Sequence, residues 1–578
     1  MMGNPPWERI KLQEQEYFAT RDSKIANAAN KAAREKMIKN LPTENPILYN
    51  EFGFALHNAD SQGKFIRNSM RFPLTAIGDI NTYSIFAELF FSMVNKSGRL
   101  GIIVPTGIAT DENNKNYFSK IIDENSLISL FDFENKKLLF HDVHRSSKFC
   151  LITISGHINP PTHKPKFAFY LTDVSQINDP IRVFNLSKDD FLKLNPNTKT
   201  SPIIRTKQDA VILAKIYNST PVFINEALKT NHWGIEFMTM FHMSNDSYLF
   251  KTESELANEG FVTSKNWYVN DSVNYLPLYE GKMFMPFNHR YANVIVNNEN
   301  LTRKGQSEEN TQSDLINPEF YPTPQYWVNE SDVLKKYEYK NKPYIAFKAV
   351  TSALNERTVL ATYLPYSAIH DNAPIILSNV QDAVLNTCLL ANLNALTLDY
   401  VARQKVGNIK IMFYVIEQFP IISPEDYPED LIQLIATKVL ELTYTSWDIK
   451  HFADDIWKDG DTILREAIQR QWEENKSATG GFEFTSPDWC EVDAEGIKLP
   501  PFKWNEERRA VLKAELDAIY AKLYGLNEQE LRYVLDPQDV YGEDFPGETF
   551  RVLKEREIKK FGEYRTKRLV LEAWEKLK

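Results

Sequence analysis

Asn4-Pro5-Pro6-Trp7 is the stretch of this chain whose residue types could do chemistry together. A primary amine conjugated into a purine ring, such as adenine N6, is a poor nucleophile because its lone pair is delocalised. A site that accepts hydrogen bonds from both amine hydrogens favours a more tetrahedral nitrogen with that lone pair available. The Asn4 side-chain oxygen supplies one acceptor. A backbone carbonyl supplies the second, and proline fixes the loop without adding a competing N–H donor. The Trp7 ring offers a face on which an extruded base can stack. The plain alternative is an Asn-Pro-Pro turn that only stops a chain element.

Such a loop needs rigid elements behind it. Residues 11–40 are charged, contain Ala and lack Pro and Gly, which predicts one or two helices. INTYSIFAELFFSMV (80–94) predicts an aromatic-rich helix, ended by Lys96-Ser97-Gly98. RLGIIVP (99–105), LISLFDF (127–133) and FCLITIS (149–155) are short apolar, β-branched runs and predict buried strands. Helix and strand alternate, which indicates an α/β layer of parallel character. From about Pro160 aromatic and polar residues mix between Pro and Asn turns, giving an α+β middle region. Residues 297–313 are polar and read as an exposed loop. After Pro424 helical spacing returns, at 431–448 and 505–524. The expected division is 1–160, 161–424 and 425–578.

Composition narrows the class. Hydrophobic residues make up 43% and charged residues 25% of 578, as in an ordinary globular protein of several domains. Cys150, Cys388 and Cys490 lie far apart and make no CxxC pair, which points away from structural zinc and disulfides and toward a reducing cytoplasm. No apolar run approaches the length of a membrane span, so no membrane association is expected. The net charge of −10 means that any nucleic-acid binding must come from a local basic face. There is no GxGxxG and no GxxxxGK[ST]. Gly480-Gly481-Phe482 lacks the preceding strand and the third glycine of a cofactor loop.

The segment from Gly3 to Lys11, GNPPWERIK, resembles motif IV of the adenine-N6 DNA methyltransferases, in the branch related to type IIG restriction–modification and phage-defence methylases. Gly78–Tyr83 before a Phe-rich helix, then Gly98–Ile108, are similar to the strand and loop that come after motif IV in that family. Phe131-Asp132-Phe133 and Lys148-Phe149 resemble the next strands. Leu276–Met283, Asp399–Lys405 and Gly562–Arg568 are similar to stretches of the recognition region and the C-terminus. The resemblance implies the C-terminal half of a Rossmann-like methyltransferase sheet, an α+β target-recognition domain and a helical C-terminal region. It implies S-adenosylmethionine as cofactor, double-stranded DNA as partner, and Asn4, Pro5, Pro6 and Trp7 as the catalytic loop. The family's usual order puts the cofactor motifs before motif IV, and those motifs are absent here. The expectation is a truncated product, or half of a split enzyme whose partner polypeptide carries the cofactor site. The alternative is an inactive DNA-recognition subunit or remnant.

Phe149 is a candidate wall of the pocket for an extruded base, as an aromatic residue is in related enzymes, or else plain strand core. Candidate DNA contacts are Lys282 with His289 and Arg290, Lys342–Lys348, Asn355 with Arg357, and Arg403 with Gln404 and Lys405. Arg and Lys anchor phosphates or read guanine, and Asn and Gln read adenine. Equally, these are solvated surface charges. His141-Asp142-Val143-His144 reads as a surface turn rather than a metal pair. Glu280-Gly281-Lys282 with Asp271 upstream matches a nuclease pattern that recurs by chance at Glu338-Tyr339-Lys340.

Overall fold

The computed structural model describes residues 1–28, 31–156, 163–270, 272–297, 305–338, 342–407, 409–490, 492, 498–547 and 549–577. They form a mixed α/β structure of two compact units. One comprises Met1–Ser219 with Asn225–Lys229 and Glu543–Gly547; the other comprises Thr220–Ile224, Thr230–Gly542 and Glu548–Lys578. The change from one unit to the other falls near residue 220, and residues on both sides of 424 lie in the same unit.

The first unit opens with a strand, β1 (Met2–Gly3), and four helices, α1 (Glu14–Ala19), α2 (Ser23–Ala26), α3 (Lys31–Glu44) and α4 (Pro46–Asn68). Phe18, Ile25, Leu41, Leu48 and Phe52 pack these helices into a small core. α5 (Thr82–Met93) follows, capped by the Asn81 side chain accepting from Tyr83 N–H. Its buried Glu88 carboxylate accepts from the backbone N–H groups of Leu74 and Thr75 and from the Thr75 hydroxyl.

The remaining strands are β2 (Arg99–Val104), β3 (Leu127–Glu134), β4 (Lys148–Ser155), β5 (Lys166–Leu171) and β6 (Phe184–Asn185). The sheet order is β1-β2-β4-β3-β5-β6. Leu100, Ile102 and Val104 alternate inward, as do Cys150, Ile152 and Ile154 on the facing strand. The sheet is mixed rather than parallel. β1 runs parallel to β2, and β3 to β5, but β4 is antiparallel to both β2 and β3. The physical reason is the connection: helices at Gly107–Thr110 and Lys115–Asp123 carry the chain across from β2 to β3, whereas β3 turns directly into β4 through residues 135–147. The change of texture at Pro160 does not end the sheet, because β5 pairs with β3 through Leu130↔Phe167.

The second unit holds a four-stranded antiparallel sheet of Ala361–Leu364, Tyr344–Phe347, Ile375–Leu377 and Glu236–Met238. A second sheet is centred on Asn274–Tyr279. Within 297–313, expected as a loop, Gly305–Glu309 pairs with Ala292–Val296 as an antiparallel hairpin and Thr311 caps a helix at Gln312–Ile316. Its polar side chains are the exposed face of that ribbon. The predicted helices appear at Glu429–Thr443 and Glu506–Leu523. They share one unit with the middle region. Tyr524, just beyond the later helix, accepts through its hydroxyl from the Asn392 amide at 2.6 Å. All three cysteines are free and buried.

Arg290 is the main internal clasp of this unit. It is fully buried and donates to the carbonyls of Asn317, Phe320, Leu315 and Thr445 at 2.7–3.2 Å. Burial pushes its guanidinium down to about 10, which still leaves it charged at neutral pH. Arg290→Leu is expected to lower stability by about 3–5 kcal/mol, because it strands several buried acceptors at once. Arg290→Lys should not rescue it, since an ammonium cannot reach that spread of acceptors. Denaturant unfolding of the three chains checks this.

Candidate active site

The parallel strands β1, β2, β3 and β5 point their C-terminal ends to one edge of the sheet. Open α/β sheets bind their ligands outside such an edge. β1 leads there straight into Asn4-Pro5-Pro6-Trp7, one residue past the Gly3↔Ile102 pair. Met1 ties β1 down further: its amino group donates to Arg99 O at 2.8 Å and its carbonyl accepts from Gly101 N–H.

Thr82, the first residue of α5, fixes the loop. Its hydroxyl donates to Pro6 O at 2.7 Å and accepts from Glu8 N–H at 2.9 Å. Its own N–H donates to Glu8 O at 2.9 Å, and Ile10 N–H to Ile80 O at 3.2 Å. Pro5 is buried, while Asn4 and Pro6 are exposed and Trp7 is 37% exposed. Among the described residues, neither the Asn4 side chain nor the Pro5 carbonyl has a hydrogen-bond partner. The loop therefore offers two free acceptors beside a solvent-facing indole, with the Pro6 carbonyl already committed to the scaffold.

The neighbouring strand ends are equally ordered. Asp132 is buried, accepting from the Thr106 hydroxyl and, at 3.0 Å, from Tyr170 N–H. Burial pushes its carboxyl up to about 6, against the lowering effect of those two hydrogen bonds. Tyr170 sits in the left-handed region (φ 57), a strained setting for a bulky residue. Lys148 Nζ and the Arg205 guanidinium lie 4.4 and 4.0 Å from its ring centre. Phe149 is buried, stacked on Phe133 at 5.5 Å, so it is strand core with its face spent inside. Thr82, Asp132 and Tyr170 went unremarked as site residues in the sequence; only the stretches holding Thr82 and Asp132 stood out, by resemblance.

The candidate DNA contacts of the second unit divide sharply. Arg290 and Arg403 are internal. Arg403 donates to the carbonyls of Ala353, Asn355, Glu356 and Thr549 at 2.7–2.9 Å, beside Asp399. Arg357 is ion-paired to buried Asp399 at 3.1 Å, and Gln404 is buried. His289 is buried against Asp448 (3.0 Å) and Ser446 (3.1 Å). Both meet the same ring nitrogen, so the trio is no proton relay. These five are corrections: carbonyls, carboxylates and a hydroxyl inside the unit claim Arg290, Arg403, Arg357 and His289, and Gln404 is buried with its side-chain oxygen unpartnered. Lys405 is half-buried, and burial holds its amine well below the usual lysine range. Lys282 and Lys348 are half-buried and Asn355 is exposed. Lys282 donates to Gly305 O at 2.9 Å and pairs with Glu280 at 3.0 Å. Asp271 and residues 339–340 of the nuclease-like patterns lie outside the described residues. Among the described residues no group of three His, Cys, Asp or Glu side chains could hold a metal ion. No helix among them is long and apolar enough to cross a membrane.

No family model matches the chain, and no curated protein matches it. Among solved structures it is similar to the type IIG restriction endonuclease BpuSI, at 12% identity over 70% of this chain and 50% of that one, with a TM-score of 0.24. It is similar to the type IIL restriction-modification enzyme MmeI in complex with DNA, at 11% identity over 84% and 55%, with a TM-score of 0.32. A DrdV–DNA complex matches at 10% identity over 99% and 56%, with a TM-score of 0.34. The chain spans about half the length of these proteins. The functional reading therefore stands on the geometry of the site.

Asp132 makes that geometry pH-sensitive. An acid whose pKa is higher folded than unfolded holds its proton more tightly when folded. Its stabilising contribution is full below about pH 4 and is lost as pH rises to about 6. Asp132→Asn is expected to remove that loss. Measured by denaturant unfolding, the variant should gain on the native chain by on the order of 3 kcal/mol between pH 4 and pH 7.

Proposed function

We propose that this chain is the catalytic-loop and target-recognition portion of a DNA methyltransferase that acts on adenine N6 in a restriction–modification or phage-defence system. The observation that carries the reading is the division of labour in the loop. Thr82 takes the Pro6 carbonyl, which leaves the Asn4 oxygen and the Pro5 carbonyl as open acceptors beside exposed Trp7. Those two acceptors suit the two hydrogens of an exocyclic amine. Drawing on both of them pulls N6 toward a tetrahedral nitrogen with a usable lone pair. Trp7 stacks on the extruded adenine and keeps it in place. The second unit is the proposed recognition part, with Lys282, Lys348 and Asn355 as its candidate contacts to double-stranded DNA.

S-adenosylmethionine would supply an electrophilic methyl group. Gly3, the glycine next to the loop, faces the Phe90 ring, 3.3 Å from where a Cβ would stand, and offers that group no open backbone there. No step is assigned to that group, and its binding belongs in this proposal to a separate polypeptide.

The test is nucleoside mass spectrometry of DNA from cells expressing the chain together with the genes beside its own. N6-methyladenine should rise with the native chain. Asn4→Ala should cut single-turnover methylation by about two to three powers of ten, because one oriented contact to the reacting nitrogen is lost. Trp7→Ala should instead weaken retention of the base, by about 1–3 kcal/mol. Unchanged methylation in Asn4→Ala would make the loop a structural turn and favour the inactive recognition subunit.

A further inference from the structure

We infer that Lys148 and Arg205, gathered on the ring of Tyr170, form a clamp for the phosphate backbone of a DNA strand at the C-terminal edge of the first sheet. The inference rests on the proposed methyltransferase function for the identity of this polyanion, and it assigns the grip on the backbone to residues that the Asn4–Trp7 loop does not contain.

The sequence puts one residue too many into β5. Between the pairs Phe131↔Ala168 and Phe133↔Leu171, β3 has one residue and β5 has two, Phe169 and Tyr170. The surplus makes a β-bulge, a feature that re-aims side chains beside functional sites. Tyr170 takes the left-handed backbone (φ 57), and buried Asp132 holds it there by accepting from Tyr170 N–H at 3.0 Å. Phe169 and Leu171 on either side are fully buried, whereas Tyr170 is half-buried. A strained backbone that turns one ring out of the core does nothing for packing, and such strain persists where it serves a ligand.

Two cations collect on that ring. Lys148 Nζ lies 4.4 Å and the Arg205 guanidinium 4.0 Å from its centre. Regular elements set both. Lys148 is the first residue of β4, paired with Glu134 across the ladder. Arg205 stands just before Thr206, whose hydroxyl accepts from Asp209 N–H at 3.1 Å while the Asp209 carboxylate accepts from Thr206 N–H at 3.0 Å, at the start of the helix Lys207–Ser219. Like charges this close repel each other, which an internal carboxylate would relieve. The two carboxylates at hand are engaged elsewhere. Glu134 meets Lys136 at 2.8 Å, and Asp132 accepts from the Thr106 hydroxyl and Tyr170 N–H. Among the described residues neither the Lys148 nor the Arg205 head group has an ion-pair or hydrogen-bond partner, and both side chains are half-buried rather than enclosed. Convergent cations without a counter-ion suit an anion from outside: the guanidinium offers a fork of donors to phosphate oxygens, and the ammonium a point charge beside it. The bulge lies at the C-terminal end of β5, on the same edge of the sheet to which β1 delivers Asn4.

Fluorescence anisotropy of the full chain with a labelled DNA duplex, repeated across a salt series, tests the inference. Lys148→Gln combined with Arg205→Gln should weaken binding about ten-fold and flatten the plot of log affinity against log salt by about two. Each single Gln variant should flatten it by about one, which keeps the test decisive if the pair unfolds. Lys148→Arg with Arg205→Lys keeps both charges and should keep the slope. Lys164→Gln with Lys166→Gln, exposed at the opposite edge where β5 begins, should leave slope and affinity as they are. Tyr170→Leu should weaken binding at unchanged charge, while Tyr170→Phe, which keeps the ring, should not. A native slope in the Lys148 and Arg205 variants overturns the clamp and leaves the Asn4 reading standing. An equal loss in the Lys164 and Lys166 pair overturns it too, since the attraction would then be diffuse. If the native chain binds no duplex, the clamp and the DNA reading fall together.

Discussion

Irregular backbone carries carbonyl groups that must find donors, and this structure meets that need with polar side chains, several of them at the ends of regular elements. Thr82, at the start of α5, supplies the donor for Pro6. Asn135, at the end of β3, supplies donors for Phe140 and Val143. Arg290 and Arg403 do the same for a wide spread of carbonyls in the second unit, from Leu315 to Thr549. Each of these loops is held by an anchor rather than by its own composition. In the Asn4–Trp7 loop the Pro6 carbonyl is satisfied in this way, while the Asn4 side chain and the Pro5 carbonyl are left without partners among the described residues.

The same constraint explains what could be read in advance. The strands at 99–104, 127–134 and 148–155 were legible because each is a short apolar, β-branched run, which suits a strand buried on both faces. The Asn-Pro-Pro-Trp stretch stood out because four adjacent residues bring an acceptor, two prolines and an aromatic face together. Arg290, Arg403, Arg357 and His289 were not legible. Each is a charged or polar residue in a mixed stretch, and its role depends on partners as far off as Thr445, Thr549 and Asp448. No local pattern announces a carbonyl 146 residues away. The change of texture near 160 is not the end of the first sheet, for a related reason. β5 looks like the start of something new by texture, but its pairing partner is β3, earlier in the chain.

Topology does the rest of the positioning. A direct turn from β3 into β4 reverses β4 between the parallel strands β2 and β3, and that reversal brings the Asn135 loop to the edge where β1 delivers Asn4. Had a helix carried the chain across instead, β4 would start at the opposite edge and its leading loop with it. Buried Asp132 and strained Tyr170 lie at this edge too, so conformational cost is concentrated where a ligand would sit.

The burial of all three cysteines has a practical consequence. Cys150 lies in the first unit, and Cys388 and Cys490 in the second. Burial raises the Cys150 and Cys388 thiols, so neither access nor thiolate is offered to an alkylating reagent while the fold is closed. Modification must then wait for local opening. Peptide mapping after a timed pulse of reagent would give each unit its own clock, so that the opening of the sheet and of the larger unit could be followed separately in one tube without any added label.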